Sequence, residues 1–143
     1  MDLFNSMRIS STALQAQRTR LDTISSNLAN METTRTPEGG PYKKKDVVFR
    51  PVGTSFEERL ERSLRGAAQG VRVERIVADN GPPKLVYDPA HPDADEGGYV
   101  AMPNINLMDE MVDMMSASRA YEANVTVVKA SKRMALKALD IGR

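Results

Sequence analysis

The 143-residue chain has no cysteine, no tryptophan and a single histidine. Without cysteine, neither a disulfide framework nor a cysteine-ligated zinc site can form. The absence suits either redox compartment, so it leaves location open. Ser-His-Asp or Cys-His catalysis would depend on His91 alone. No apolar run nears the ~20 residues of a membrane span. Residues 1–9 read MDLFNSMRI, and Asp2, Asn5, Ser6 and Arg8 interrupt the apolar core that a secretory signal needs. Charge of one sign is lacking too. With 20 Lys+Arg against 19 Asp+Glu, the net charge of +1 lacks the basic excess of a nucleic-acid binder.

Proline, glycine and aromatics are scarce only at the ends. All 8 prolines, 8 of the 9 glycines and 5 of the 7 aromatics lie between Pro37 and Pro103. The breaker-free ends carry helical periodicity. Leu3, Met7, Ser10, Leu14, Gln17, Leu21, Ile24 and Leu28 recur at alternating four- and three-residue steps, the seam of an amphipathic helix. Leu107, Met111, Met114, Ser118, Tyr121, Val125, Val128, Lys132, Ala135 and Leu139 do the same at the other end. Asn106 is the expected N-cap, with Asp109 in a capping-box position and Gly142 as the stop. A helix of ~35 residues would be roughly 50 Å long, too long to wrap a compact domain of this size. Its nearest partner is the N-terminal helix.

The predicted fold is therefore α+β: long N- and C-terminal helices paired as an antiparallel coiled coil, with a small β-containing central insertion. The predicted units are residues 1–32, 33–104 and 105–143. Within the middle, strands are expected at 47–49, 71–77, 84–87 and 99–102, between turn signals such as Asn80, Gly81, Pro82 and Pro83. A short helix is expected near 56–65, with Phe56, Leu60 and Leu64 on one face. Small residues at Ser116, Ala117, Ser118 and Ala120 and around Ser25 to Asn30 fit two readings: a solvated polar face, or a helix with close neighbours on more than one side, as in a polymer. Met108, Met111, Met114 and Met115 form a soft stripe suited to packing or assembly.

No catalytic, metal or cofactor site is expected. His91 lies between Asp88 and Asp95 in a proline-containing loop. The glycine pairs Gly39, Gly40 and Gly97, Gly98 lack the strand-to-helix context of a phosphate loop. Lys43, Lys44 and Lys45 read as a solvated loop. Glu57 and Glu58 read as a solvated helix surface.

LDTISSNLAN at residues 21–30 resembles the signature of flagellar axial proteins of the rod and hook. KLVYDP at 84–89, GYVAMPNIN at 98–106 and EMVDMMSASRAYEAN at 110–124 resemble a proximal rod subunit of that family. The chain departs from the signature at Ser26 and Glu32, where polar character is kept. The resemblance brings Asn27, Asn30, Arg119, Ala120 and Asn124 into the expected set of assembly and helix-packing residues. It implies a structural subunit of the bacterial flagellar basal body, exported through the flagellar type III apparatus without a cleaved signal peptide. Such a subunit would assemble in the periplasm into a torque-transmitting shaft. Implied partners are further copies of the chain, the rod proteins FlgB, FlgF and FlgG, and the junction protein FliE, with neither nucleic acid nor membrane insertion. Two alternatives remain from the residues: another proximal rod subunit such as FlgB, and a cytosolic coiled-coil adaptor.

Overall fold

A computed structural model describes residues 3–52, 60 and 69–142 of the chain. The helix expected near 56–65 lies outside the described residues except for Leu60. Helix α1 spans Leu3–Ala29 and helix α2 spans Leu107–Ile141. Between them come strands β1 (Lys45–Pro51), β2 (Val71–Ala78), β3 (Lys84–Tyr87) and β4 (Tyr99–Met102).

α2 begins where its chemistry predicts. Asn106 has extended dihedrals and its side chain accepts a hydrogen bond from Met108 N at 3.0 Å. Asp109 and Glu110 put negative charge in the first turn, which favours the positive end of the helix dipole. Gly142 closes the helix through its N–H, which donates to Ala138 O at 3.2 Å. Its φ of −80° is right-handed, so this end is a continued helical bond and not the left-handed cap that glycine often makes.

The two helices pack against each other and run antiparallel. Three side-chain contacts set their direction: Ser6 with Ser131 at 3.4 Å, Arg20 with Asp113 at 3.1 Å, and Asn27 with Glu110 at 3.1 Å. The facing surface is small and polar. Ser10, Ala16, Thr23, Ile24 and Asn27 are the buried residues of α1, and Glu110, Ala117 and Ser131 those of α2. Short side chains let the backbones come close. Beyond Ser131, α2 continues to Ile141 with Met134, Leu136, Leu139 and Ile141 exposed.

β1 and β2 pair antiparallel from Lys45 opposite Ala78 to Pro51 opposite Val71. The register shifts between Val48, opposite Arg75, and Phe49, opposite Val73, so Glu74 is the extra residue of a bulge. This hairpin lies along α1. Its near end meets Asn27 through Lys45, and its far end meets Thr12, whose Oγ1 accepts from Val71 N at 3.2 Å. The fifteen helical steps from Thr12 to Asn27 span roughly 22 Å and the six strand steps of β1 roughly 20 Å, so one strand matches four turns of helix. Gly70 gives room at the far end, because a Cβ there would stand 2.7 Å from Thr12 Oγ1 and force that side chain to shift.

β3 and β4 form a second antiparallel hairpin, Lys84 opposite Met102 to Tyr87 opposite Tyr99. The two tyrosine rings meet edge to face at 5.3 Å. The connecting loop is braced by Asp95, whose Oδ1 accepts from Gly97 N and Tyr99 N at 2.9 and 2.8 Å. His91 sits in this loop, half-buried, and its Nδ1 accepts from Asp93 N at 3.1 Å. Asp93 ties the loop to the segment after α1 through Thr34 at 2.8 Å and Arg35 at 3.2 Å.

Little apolar surface is enclosed. The buried hydrophobic side chains among the described residues are Ala16, Ile24, Val100 and Ala117. The chain exposes 10528 Å², whereas a compact monomer of 15.8 kDa would expose about 7300 Å². Because Ala117 is fully enclosed by the helix pair, Ala117→Leu is expected to overpack it and cost about 2 kcal/mol. Urea unfolding of the purified chain checks this, and an unchanged midpoint would show that the seam has room.

Candidate functional site

The C-terminal end of α1, the start of α2 and the start of β1 converge on a buried polar junction. At its centre is Asn27, fully buried. An asparagine amide has two donor hydrogens and a carbonyl oxygen with two lone pairs, and here all four are used. Nδ2 donates to Lys45 O at 2.8 Å and to Glu110 Oε2 at 3.1 Å. Oδ1 accepts from Lys45 N at 2.9 Å and from the Tyr42 hydroxyl at 3.2 Å. The side chain thus pairs with a strand residue as a neighbouring strand would, and it joins that strand to both helices.

Glu110 is 1% exposed. A buried carboxylate needs a counter-charge, and Lys44 Nζ stands 2.8 Å from Oε1. The contact is a close ion pair. Contact with the Glu110 carboxylate holds the Lys44 ammonium above the ordinary lysine pKa; Asp46, Glu110 and Asp113 add to this through their charge, and partial burial opposes it. Lys44 therefore departs from the expected solvated loop: the run of three lysines is split. Lys43 and Lys45 are exposed, while Lys44 turns inward to the carboxylate. The alternation follows from an extended backbone, which sends successive side chains to opposite sides.

The end of α1 is closed by its own polar residues. Asn30 Nδ2 donates to Ser26 O at 2.9 Å, and Thr33 Oγ1 donates to Asn30 Oδ1 at 3.2 Å. Ser26 Oγ lies 3.2 Å from the Tyr42 hydroxyl. The backbone then doubles back, Tyr42 N donating to Thr33 O at 3.0 Å, with a tight turn at Gly39 and Gly40, both at positive φ. That turn delivers Tyr42 and Lys45 to Asn27, and Lys44 to Glu110.

The other expected packing residues divide in two. On α1, Ile24 and Asn27 are buried, and Leu3, Met7, Leu14, Leu21 and Leu28 are half-buried, as is Asn30 just beyond it. On α2, Met114, Ser118, Ala120, Tyr121, Asn124, Val125, Val128 and Ala135 are half-buried, and Leu107, Met111, Met115, Arg119 and Leu139 are exposed. The α2 column that meets α1 runs through Glu110, Asp113, Ala117 and Ser131 and so lies beside the most apolar one. The apolar column is only partly covered, and Met111, Met114, Met115 and Ser118 line an open groove of about 430 Å³ with Arg119 and Glu122. Among the described residues, no group of three or more His, Asp or Glu is placed to hold a metal ion. No described helix is long and apolar enough to cross a membrane.

The family model described as flagella basal body rod protein matches residues 7–35, and that described as flagellar basal body rod FlgEFG protein C-terminal matches residues 96–141. A flagellar basal-body rod protein FlgC of Borreliella burgdorferi is 51% identical, covering 99% of this chain and 98% of the relative. The FlgC proteins of Bacillus subtilis and Salmonella typhimurium are 47% and 42% identical, each over 100% of both chains. The chain belongs to the FlgC family of flagellar basal-body rod proteins. Its role is that of a structural rod subunit of the flagellar basal body. The two matched segments contain Ser10, Ala16, Thr23, Ile24, Asn27, Val100, Pro103, Glu110, Ala117 and Ser131, the buried residues among those described. Lys44, Lys45 and Tyr42 lie between the matched segments.

Lys44→Met is expected to strand a buried carboxylate and cost about 3 kcal/mol, whereas Glu110→Gln keeps the acceptor for Asn27 and frees Lys44 toward solvent, costing about 1 kcal/mol. A raised lysine pKa contributes stability that is fully present below the ordinary value of 10.5 and is lost as pH rises through the raised one. The gap between parent and Lys44→Met should accordingly stay constant from neutral pH to about pH 10 and close above it. Denaturant titrations at several pH values measure it, and a gap that closes below pH 9 would contradict this assignment.

Proposed function

We propose that the chain is a proximal rod subunit whose two helices form one antiparallel coiled-coil unit, residues 1–32 with 105–143, and whose segment 33–104 stands outside it. Subunits polymerise into the helical shaft that carries torque from the membrane ring to the hook. The observation that carries this reading is the unfinished surface of α2. Met108, Met111, Val112, Met115, Val127, Met134, Leu136 and Leu139 are all exposed along one long helix, a far larger apolar display than a lone soluble subunit keeps. Burial at roughly 25 cal/mol per Å² makes such a surface a strong drive to assemble. Methionine suits it, because the unbranched side chain adapts to neighbours that are not identical.

Stiffness is what torque transmission requires, and long helices packed along a shaft supply it. No active site is needed, and the reading assigns neither enzyme activity nor cofactor. The partners that fit are further copies of the chain, the rod proteins FlgB, FlgF and FlgG, and the junction protein FliE. The subunit reaches the periplasm through the flagellar type III export apparatus, and the reading includes neither nucleic-acid binding nor membrane insertion.

Ala123 is exposed and Ala120 half-buried in the single chain. Leucine at Ala123 is expected to leave monomer stability within about 0.5 kcal/mol, yet to block rod assembly and swimming while export continues. Basal bodies purified from the mutant strain, with the secreted fraction probed alongside, test this. Normal rods would show that this face of α2 has no close neighbour.

A further inference from the structure

The connection from β2 to β3 holds a reactive dipeptide in an unusual setting. Asn80 is followed by Gly81, and both are exposed. Glycine leaves its own backbone nitrogen unshielded, so this pair is the one at which an asparagine side chain is most readily attacked by the following amide. Two charged neighbours are placed on the reacting atoms. Asp79 Oδ1 accepts a hydrogen bond from Gly81 N at 2.8 Å. Lys43 Nζ donates to Asn80 Oδ1 at 3.3 Å. The carboxylate thus sits on the proton that must leave, and the ammonium on the oxygen that must take up negative charge.

We propose that Asn80 is a self-modification site, deamidated through a succinimide with Asp79 as proton acceptor and Lys43 as the stabiliser of the oxyanion. Gly81 N attacks Asn80 Cγ, forming the N–Cγ bond, and its proton passes to Asp79. The tetrahedral oxygen is Asn80 Oδ1, held by Lys43. Collapse breaks the Cγ–Nδ2 bond, Asp79 returns the proton, and ammonia leaves. Water then opens the ring at either carbonyl, leaving aspartate or isoaspartate at position 80. The sum is one water consumed and one ammonia released, with no redox change. The product adds a negative charge next to Asp79 and opposite Lys43. In its isoaspartate form it also lengthens the backbone between the two hairpins.

The test uses the full-length purified chain, incubated at neutral pH and digested. The peptide containing position 80 is followed by mass and by isoaspartyl methyltransferase labelling. The folded parent should convert at Asn80 faster than at its other exposed asparagines and faster than the same chain unfolded in urea. Lys43→Met and Asp79→Ala should each slow conversion by roughly tenfold, less than a positioned acid–base group achieves in an enzyme because both groups are exposed. Circular dichroism of the two variants establishes that they remain folded. Conversion in the folded parent at or below the rate of the unfolded chain would overturn the proposal, because the Asp79 hydrogen bond would then be restraining Gly81 N. Parent-like rates in both variants would overturn it as well.

Discussion

Asn27 has four hydrogen-bonding positions and no exposure to water, and three residues distant in sequence meet all four. Two go to the backbone of Lys45, one to Glu110 and one to Tyr42. An unpaired polar group in such a place would cost a substantial part of a small protein's stability. The register of α1 against α2 and the start of β1 are therefore set together. Sliding either helix by one turn would separate Asn27 from Glu110 and leave a buried amide donor and a buried carboxylate oxygen without each other. A surface of alanine and serine could not hold that register by itself, because small side chains interdigitate weakly.

This constraint lets the helix pair be thin. Ala16 and Ala117 enclose little apolar volume, and many of the bulkier side chains of α2, among them Met108, Met111, Val112 and Met115, are exposed. A conventional domain would turn them inward and bury them. Here polar interactions fix the geometry of the single chain, and much of the apolar area of α2 stays exposed. The same division explains why a chain of ordinary domain length exposes so much more surface than a compact monomer of its mass. The hairpin β1–β2 follows the same economy. It is anchored to α1 at Asn27 and at Thr12, the two ends of a matched length of helix and strand.

Much of this architecture is legible in the residues. The limits of β3 and β4 agree with the alternation between turn signals, and α2 starts after Asn106 and runs to Ile141 as its cap and periodicity indicate. β1 extends beyond the apolar triplet at 47–49, because pairing with β2 carries polar Lys45 and Asp46 into the ladder. The junction itself was hidden for a different reason. Asn27 stands out in the signature, but its partners are 15, 18 and 83 residues away, and nothing local distinguishes Lys44 from the lysines on either side. Glu110 reads from sequence as a first-turn acid favourable to the helix dipole, and it is that, but its burial depends on a loop that must fold back first. Apolar periodicity also points to the outward column of α2, since the column that meets α1 is made of residues that hydrophobicity does not mark.

The central claim is that the apolar face of α2 is covered by neighbouring subunits, while the polar junction already holds the single chain together. Oxidative footprinting of methionine reads this face directly, because conversion to the sulfoxide follows exposure of the thioether. Met108, Met111, Met115 and Met134 should oxidise readily in the purified chain and be protected in intact basal bodies. Equal oxidation of these methionines in the free chain and in the assembled rod would contradict the account.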